Sequence, residues 1–491
     1  MVNAVIKVIL IAHLYQTQKA TSNWNTCPAD ILYLVFQLLS PTEHQALCLV
    51  NHSFQSIAEL LLYSRIQFTW HIEELKYESK IEPPPPITRL SRTLLFKPQL
   101  AAHVRSLHLD GKAWLAREAR FEFPKIHTPE DQLDQTIALI DRTGVPYSEY
   151  WSRELRGGSV DALVALLLTQ LPNVRHIHLG KDFTRQCALT SMMLRSAICE
   201  AGTYKLCDFQ HLQTLSYLRR ESRDEASGRN FKLRNHANIL PFFYLPNLQH
   251  VRASIDNMEN WTWPAPHAPV ASKLKSLDLY TIREECLGRI LSVTKNLTTL
   301  SWKWYYDTSV EDKSITQILD LDKIGSALSN LQETLTDLTL TADIGNGGDP
   351  FLRGIKAVGS LRAMVSFDRI KTLHIPLAFL VGFAQDKTKR LQDALPRNVE
   401  FLTITDDLAD ENIDYLDEGW PLWEWEDYTI LDLLGSWIRE RTRWAPTLKR
   451  ITLLLNWIDT DMDLWSSSAR KQLQDLSIQT GIPIELVSEA C

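Results

Sequence analysis

His176 and His178 stand two residues apart in the stretch Val174-Arg-His-Ile-His-Leu179. On an extended strand that spacing puts both imidazoles on one face, where ring nitrogens can ligate a metal ion. A metal site needs further ligands converging on the same place, and without them the pair reads as solvated or pocket-lining side chains. Cys207 and His211 have the i, i+4 spacing of one helix face, again with nothing to complete a site. A third constellation is larger. Asp406 to Asp427 holds ten carboxylates, interleaved with Trp420, Trp423 and Trp425, and contains no Lys or Arg. An acidic, aromatic loop of this kind can grip a basic segment of a partner, with tryptophans as anchors. Its candidate contact residues are Trp420, Trp423, Trp425, Asp417 and Glu418; the opposing reading is a solvated insertion whose rings pack back on the body.

No other chemistry-bearing motif stands out. The chain has no GxSxG elbow, phosphate-binding Walker loop, HExxH pair or CxxC pair, so no catalytic residue, cofactor or metal is indicated. The seven cysteines, at 27, 48, 187, 199, 207, 286 and 491, are scattered, as expected of free, buried thiols in a reducing compartment. The net charge of −7 excludes a global basic footprint for nucleic acid. Val2 to Tyr15 is apolar but carries Lys7 and is shorter than the roughly 20 residues a membrane span needs. Residues 1–23 are expected to be a poorly ordered leader, with no membrane partner and a cytoplasmic or nuclear location.

What must position these residues is a long array. A chain of 491 residues exceeds the roughly 250–300 that a single core supports. The motif apolar-x-x-apolar-x-apolar recurs at Val104-Arg-Ser-Leu-His-Leu109, Val174-Arg-His-Ile-His-Leu179, Leu248-Gln-His-Val-Arg-Ala253 and Leu274-Lys-Ser-Leu-Asp-Leu279. It returns at Leu297, Leu335, Ile370, Val399 and Leu448. The period-2 alternation inside each predicts a short strand. Helical runs such as 160–170, 285–295 and 315–331 lead into strands through turns that often hold Pro or Asn. Successive starts lie as close as 23 residues (274 to 297) and as far as 74 (174 to 248). The short periods match leucine-rich repeats, whose strands lie parallel along one concave face. Trp261 with Trp263, and Trp302 with Trp304, each place two rings on one strand face, where they line a recognition surface or, the favoured reading, belong to the core. The four prolines of Ile81-Glu-Pro-Pro-Pro-Pro-Ile87 favour extended geometry and suggest a stiff linker over 69–98, with the solenoid occupying 99–480.

Residues 24–68 are different: compact, helical and free of glycine. Pro28 suits a first helical turn and Asp30 the positive end of its dipole. Ser40-Pro41-Thr42-Glu43 is a capping box that starts a second helix. Leu47, Val50, Phe54, Ile57 and Leu61 continue the apolar stripe into a third. Three short helices cannot bury all these side chains among themselves, which implies a partner or a packed neighbour. The segment resembles an F-box, in particular that of fungal F-box proteins, through Pro28, Ile31, Leu32, Leu39, Leu47, Leu49, Val50, Asn51, Phe54, Ala58, Leu61, Leu62, Tyr63 and Ile66. Cys27 stands where a leucine is usual and Asp30 where a glutamate is common. The resemblance implies an α/β protein in which a three-helix F-box precedes an irregular leucine-rich-repeat-like solenoid. It implies a non-catalytic adaptor that binds a Skp-type protein and, through it, a cullin and a RING protein, while the solenoid holds an unknown protein client. Pro28, Ile31, Leu32, Leu47, Val50 and Phe54 would include the adaptor-facing anchors.

Overall fold

The structure is a computed structural model; its described residues are 27–488 except 71, 75–78, 82, 112–124, 181–182, 185–186, 219–238, 258–259, 308–314, 346–354, 384–387, 409–426 and 456–464. Its frame is one twelve-stranded sheet, parallel throughout, in which each strand pairs with the next sheet strand along the chain. The strands are β1 (Arg65–Trp70), β2 (Ser106–Gly111), β3 (His176–Leu179), β4 (Thr214–Tyr217), β5 (His250–Ser254) and β6 (Ser276–Tyr280). They continue as β7 (Thr299–Asp307), β8 (Asp337–Gly345), β9 (Thr372–Pro376), β10 (Phe401–Thr405), β11 (Arg450–Leu455) and β12 (Ile484–Ser488).

All nine strands expected from the repeated motif lie in this sheet. Within each, the fourth and sixth motif residues turn to the core: Leu107 and Leu109, Ile177 and Leu179, Leu277 and Leu279, Leu373 and Ile375 are buried. The residues between them form the opposite, open face, because successive side chains of a strand alternate. Helices cover the buried face. One largely buried member is α7 (Val160–Thr169), started by Ser159, whose hydroxyl accepts from the Ala162 amide at 3.4 Å. Its residues Asp161 to Leu168 are all buried. Asp161 also serves the next helix, α8 (Ala188–Ile198): its carboxylate accepts from the Leu189 and Thr190 amides at 2.7 and 3.0 Å. It thereby satisfies donors that a helix start leaves open.

Two kinds of bond fix one unit against the next. Just before each of β2 to β11, a backbone amide donates to the equivalent carbonyl of the preceding unit: Arg105 to Ser64, Arg175 to Arg105, Gln213 to Arg175, Gln249 to Gln213 and Lys275 to Gln249. The same rung continues from Thr298 to Lys275, Thr336 to Thr298, Lys371 to Thr336, Glu400 to Lys371 and Lys449 to Glu400, all at 2.7–3.0 Å. Beside it runs a side-chain rung. The Asn that precedes the motif donates its amide to a loop carbonyl of the previous unit: Asn173 to Ala102 (2.9 Å), Asn247 to Gln210 (2.8 Å), Asn296 to Ser272 (2.9 Å) and Asn398 to Asp368 (2.8 Å). Thr334 occupies the same place and donates to Lys295. The turn asparagines are therefore inter-repeat ties.

The N-terminal unit consists of α1 (Ala29–Phe36), α2 (Pro41–Leu47) and α3 (His52–Ser64). The capping box at Ser40 is complete: its hydroxyl meets the Glu43 amide and the Glu43 carboxylate accepts from the Ser40 amide at 2.7 Å. Asn51 caps α3 through the Phe54 amide at 2.8 Å. Helix α3 runs into β1 without an intervening loop. Residues 69–98, expected to form a linker, hold the end of β1 and an antiparallel ribbon of Ile72–Glu74 with Ser79–Ile81. They also hold α4 (Ile87–Phe96), which packs on α7 and buries Ile87 and Leu94 in the main core. The polyproline run thus leads directly into the repeat layer, because Ile87 and Leu94 have the apolar spacing of a core-facing helix. The layer begins at residue 65 rather than 99, and β12 carries it past 480 to 488.

Two substitutions test these ties. Asn173→Ala removes one inter-unit hydrogen bond and should lower stability by about 1 kcal/mol, read as a lower urea midpoint. Asp161→Ala strips two buried amides of their acceptor and should cost about 2–3 kcal/mol, with the loss of protection centred on α8 in hydrogen exchange.

Candidate functional site

Two surfaces have the character of contact sites. The first is on the N-terminal unit. Leu32, Phe36, Ile57 and Ala58 form its own small core, with Cys27, Val35, Leu39, Leu47, Phe54 and Leu61 packed around it. Phe36 meets Phe54 edge to face at 5.2 Å. His44 is buried and bonds the Phe36 carbonyl through Nε2 at 2.8 Å, tying α2 to the end of α1. Once these residues are placed inside, a set of large apolar side chains remains outside: Leu34 (58% exposed), Leu38 (59%), Leu49 (89%) and Val50 (59%), with Tyr33 beside them. Of the residues singled out from the sequence, Pro28 and Val50 are exposed, Ile31, Leu47 and Phe54 are half-buried, and Leu32 is inside at 3% exposure. Leu34 was not singled out, and Leu38, which spacing groups with Ile31, Leu32, Val35 and Leu39 on one helix face, stands outside. Their i, i+4 spacing marked them as neighbours, but helical spacing alone does not tell an inward stripe from an outward one.

The second surface is the open face of the sheet. Its central row follows the ladder register: Gln67, His108, His178, Ser216, Arg252 and Asp278, then Ser301, Thr339, His374, Thr403, Thr452 and Glu485. Two fixed polar groups stand on it. Arg252 pairs with Asp278 (3.1 Å) and donates to the Tyr280 hydroxyl (2.7 Å), which itself donates to Asp278 (3.1 Å). Lys303 pairs with Asp343 at 2.8 Å. Toward the β2 end, His178 stacks on His108 with ring centroids 4.1 Å apart and planes 8° from parallel. Burial, reinforced by His108, holds His178 below the usual imidazole range and so favours its neutral form. His176, expected to share a face with His178, lies one step along the same face in the neighbouring row, opposite Ser106 and Thr214.

His108 was the residue missed in the sequence, although the signal was there. It is the fifth residue of the motif beginning at Val104, as His178 is of the motif beginning at Val174, so stacking the motifs in register sets the two side by side. Trp302 and Trp304 are fully buried, and the Trp302 indole donates to the Ile282 carbonyl at 2.9 Å. Arg283 is buried over the Trp304 ring, held by Glu284 and the carbonyls of Thr316 and Ile318. This cluster is structural. Trp261 and Trp263 are half-buried, edge to face at 5.4 Å, in a loop rather than on a strand. Cys207 is half-buried, its thiol pushed up to about 11 by burial, and bonds the Thr169 carbonyl. Trp420, Trp423, Trp425, Asp417 and Glu418 lie outside the described residues. At the start of that acidic run, Asp407 accepts from the Ala342 amide at 2.7 Å, and burial raises its carboxyl above the ordinary range. Among the described residues, no helix is long and apolar enough to cross a membrane.

A family model described as a leucine-rich repeat domain matches residues 84–486, well over half of the chain. No curated protein matches it. Among solved structures, a protein from Bacteroides fragilis is similar at 14% identity over 58% of this chain and 77% of that one, with a TM-score of 0.25. That likeness is too slight to carry an argument. Leucine-rich repeat domains are generally non-catalytic protein-interaction modules, and no enzyme family is indicated. The in-register parallel ladder and the match over residues 84–486 agree, and the chain belongs to the leucine-rich-repeat family.

Proposed function

We propose that this chain is the client-receptor subunit of a Skp–cullin–F-box ubiquitin ligase. Its three N-terminal helices would seat on a Skp-type adaptor and its repeat layer would hold a protein client. The observation that carries the reading is the apolar set Leu34, Leu38, Leu49 and Val50, outside a unit whose own core is already filled by Leu32, Phe36, Ile57 and Ala58. Large apolar side chains left exposed on so small a unit point to an interaction site. The F-box-like residues quoted above name the partner chemistry, an apolar groove on a Skp-type protein. Val50 and Pro28 are the outward members of that set. Leu32 and Phe54 support the face from within.

In such an assembly the chain does no chemistry. It raises the effective concentration of a client lysine near the charged conjugating enzyme. The direct run of α3 into β1 favours this role, since a stiff junction fixes the distance between the adaptor-facing helices and the client-facing strands. The client would meet the open face, whose polar row offers charges of both signs. The acidic tryptophan-bearing run, with Trp420, Trp423, Trp425, Asp417 and Glu418, is proposed as a second client contact, for a basic segment. The assembly would reside in the cytoplasm or nucleus, with neither nucleic acid nor membrane as a partner.

A second reading keeps the repeat layer and drops the ligase: a scaffold that joins proteins through the open face. It draws on the family match, which starts at residue 84, beyond the helical unit. Co-purification of a cullin separates the two.

The test is capture of purified Skp-type adaptor by the full chain. Leu38→Asp with Val50→Asp places charges on the exposed face without touching the small core. Loss of two anchors at about 1 kcal/mol each or more weakens binding by roughly 30-fold, with the circular dichroism spectrum unchanged. Folded wild type that does not capture the adaptor, or a double variant that binds as well as wild type, would overturn the ligase reading.

A further inference from the structure

One corner of the open face gathers three metal-ligating side chains from two strands. His108 and Asp110 share the open face of β2, two residues apart, and His178 of β3 is the direct ladder partner of His108. The Asp110 Oδ2 atom lies 3.9 Å from Nε2 of His108 and 3.9 Å from Nε2 of His178. One ligand atom from each of the three residues falls within 4.8 Å of the other two.

The surroundings are shaped for this arrangement. Asp110 is oriented through its other oxygen, which accepts from the Gly111 amide at 2.9 Å and leaves Oδ2 toward the two rings. Gly180 gives the carboxylate its room: a Cβ there would sit 2.0 Å from Asp110 Oδ1. The Nε2 atom of His178 is shielded from solvent yet makes no hydrogen bond, and so is the hydroxyl of Ser216, its ladder partner on β4. A buried nitrogen without a partner is costly unless something else satisfies it.

We propose that His108, Asp110 and His178 bind one divalent transition-metal ion of the Zn²⁺ class through two Nε2 atoms and one carboxylate oxygen. Two imidazoles with a carboxylate suit Zn²⁺, Ni²⁺ or Cu²⁺ and not Mg²⁺ or Ca²⁺, which take oxygen ligands. With metal–ligand bonds near 2.1 Å, tetrahedral ligand atoms sit about 3.4 Å apart. Closing the observed 3.9 Å to that separation takes about half an ångström of side-chain movement. The rings must also turn out of their parallel stack so that both lone pairs converge, a rotation about a broad terminal torsion.

The side chains of His108 and Asp110 are 35% and 42% exposed, so the ion can enter from the open face. Three protein ligands leave a further position, which water or a side chain of a bound protein would fill. The ion would also tie β2 to β3, which are separated in sequence by residues 112–175. This inference is independent of the ligase reading; neither needs the other.

The test uses the full chain, stripped of metal with a chelator and titrated with Zn²⁺ by calorimetry, then with Co²⁺ as a spectroscopic substitute. The expected result is one equivalent of Zn²⁺, and a visible Co²⁺ band without the thiolate charge-transfer absorption that cysteine ligation would give. His178→Ala and Asp110→Asn should each weaken Zn²⁺ binding by more than about 10-fold. His176→Ala, on the same face but outside the triangle, should leave it unchanged. All three positions lie on the open face, outside the core, and circular dichroism checks that each variant keeps the fold. Absence of Zn²⁺ binding, binding indifferent to His178→Ala, or a Co²⁺ spectrum dominated by thiolate would each overturn the proposal.

Discussion

The structure depends on a single repeated bond, the amide that precedes each strand from β2 to β11 reaching the matching carbonyl of the unit before it. From Arg105 onto Ser64 to Lys449 onto Glu400 this rung repeats in the same register. It matters because no unit can bury its own apolar side. A strand contributes only a few inward residues, such as Leu277 and Leu279, and they are covered only when neighbouring units and the helix layer close over them. A slip of one residue would turn those leucines to solvent and the polar row inward. The asparagine rung beside it, from Asn173 to Asn398, adds a side-chain lock at the turns where the backbone leaves the ladder.

The same constraint makes the surfaces. Holding strands in register aligns every fifth motif residue into one row, so side chains far apart in the sequence become neighbours. His108 and His178 stack for that reason, as do Arg252 and Asp278 in pairing across β5 and β6. The row is a property of the ladder and not of any single unit, and its chemistry changes along its length. Histidines and a carboxylate stand near β2 and β3, an arginine–tyrosine–aspartate group at β5 and β6, and threonines on β8, β10 and β11, with His374 on β9 and Glu485 on β12. At the N-terminal end the ladder begins where α3 stops, so the apolar face of the helical unit is mounted on the sheet by Arg65–Trp70.

Much of this was legible in the residues. The hexapeptide motif located nine strands because apolar residues at its fourth and sixth places, mostly Leu, Ile and Val, alternate with polar residues. Two further strands obey the same rule, each with an aromatic sixth residue: Tyr63-Ser-Arg-Ile-Gln-Phe68 leads into β1 and Leu212-Gln-Thr-Leu-Ser-Tyr217 into β4. The last strand, around Ile484 and Leu486, does not follow the motif; it pairs with β11 through Ile451 and Leu453, and the Ile484 amide donates to the Ser477 hydroxyl. The prolines at 83–86 suggested a spacer, yet the apolar spacing of Ile87 and Leu94 drew the following helix into the core. In the helical unit the capping box was plain from Ser40 and Glu43. Which leucines faced outward was not, because Leu32 and Leu34 differ only in which neighbour each meets. The Asp110–histidine triangle was hidden for a similar reason: it exists only across the register of two strands whose motifs begin 70 residues apart, at 104 and 174.

The most direct test of the continuous ladder is native-state hydrogen exchange across its first rungs. If α3 feeds straight into the sheet, the Arg105 amide and the bonded amides of β1 exchange as slowly as those of β6 in the middle of the array. Exchange of Arg65–Trp70 and Arg105 that is orders of magnitude faster than that of Ser276–Tyr280 would contradict the account. It would mean that the helical unit hangs on a tether and is not built on the first strand.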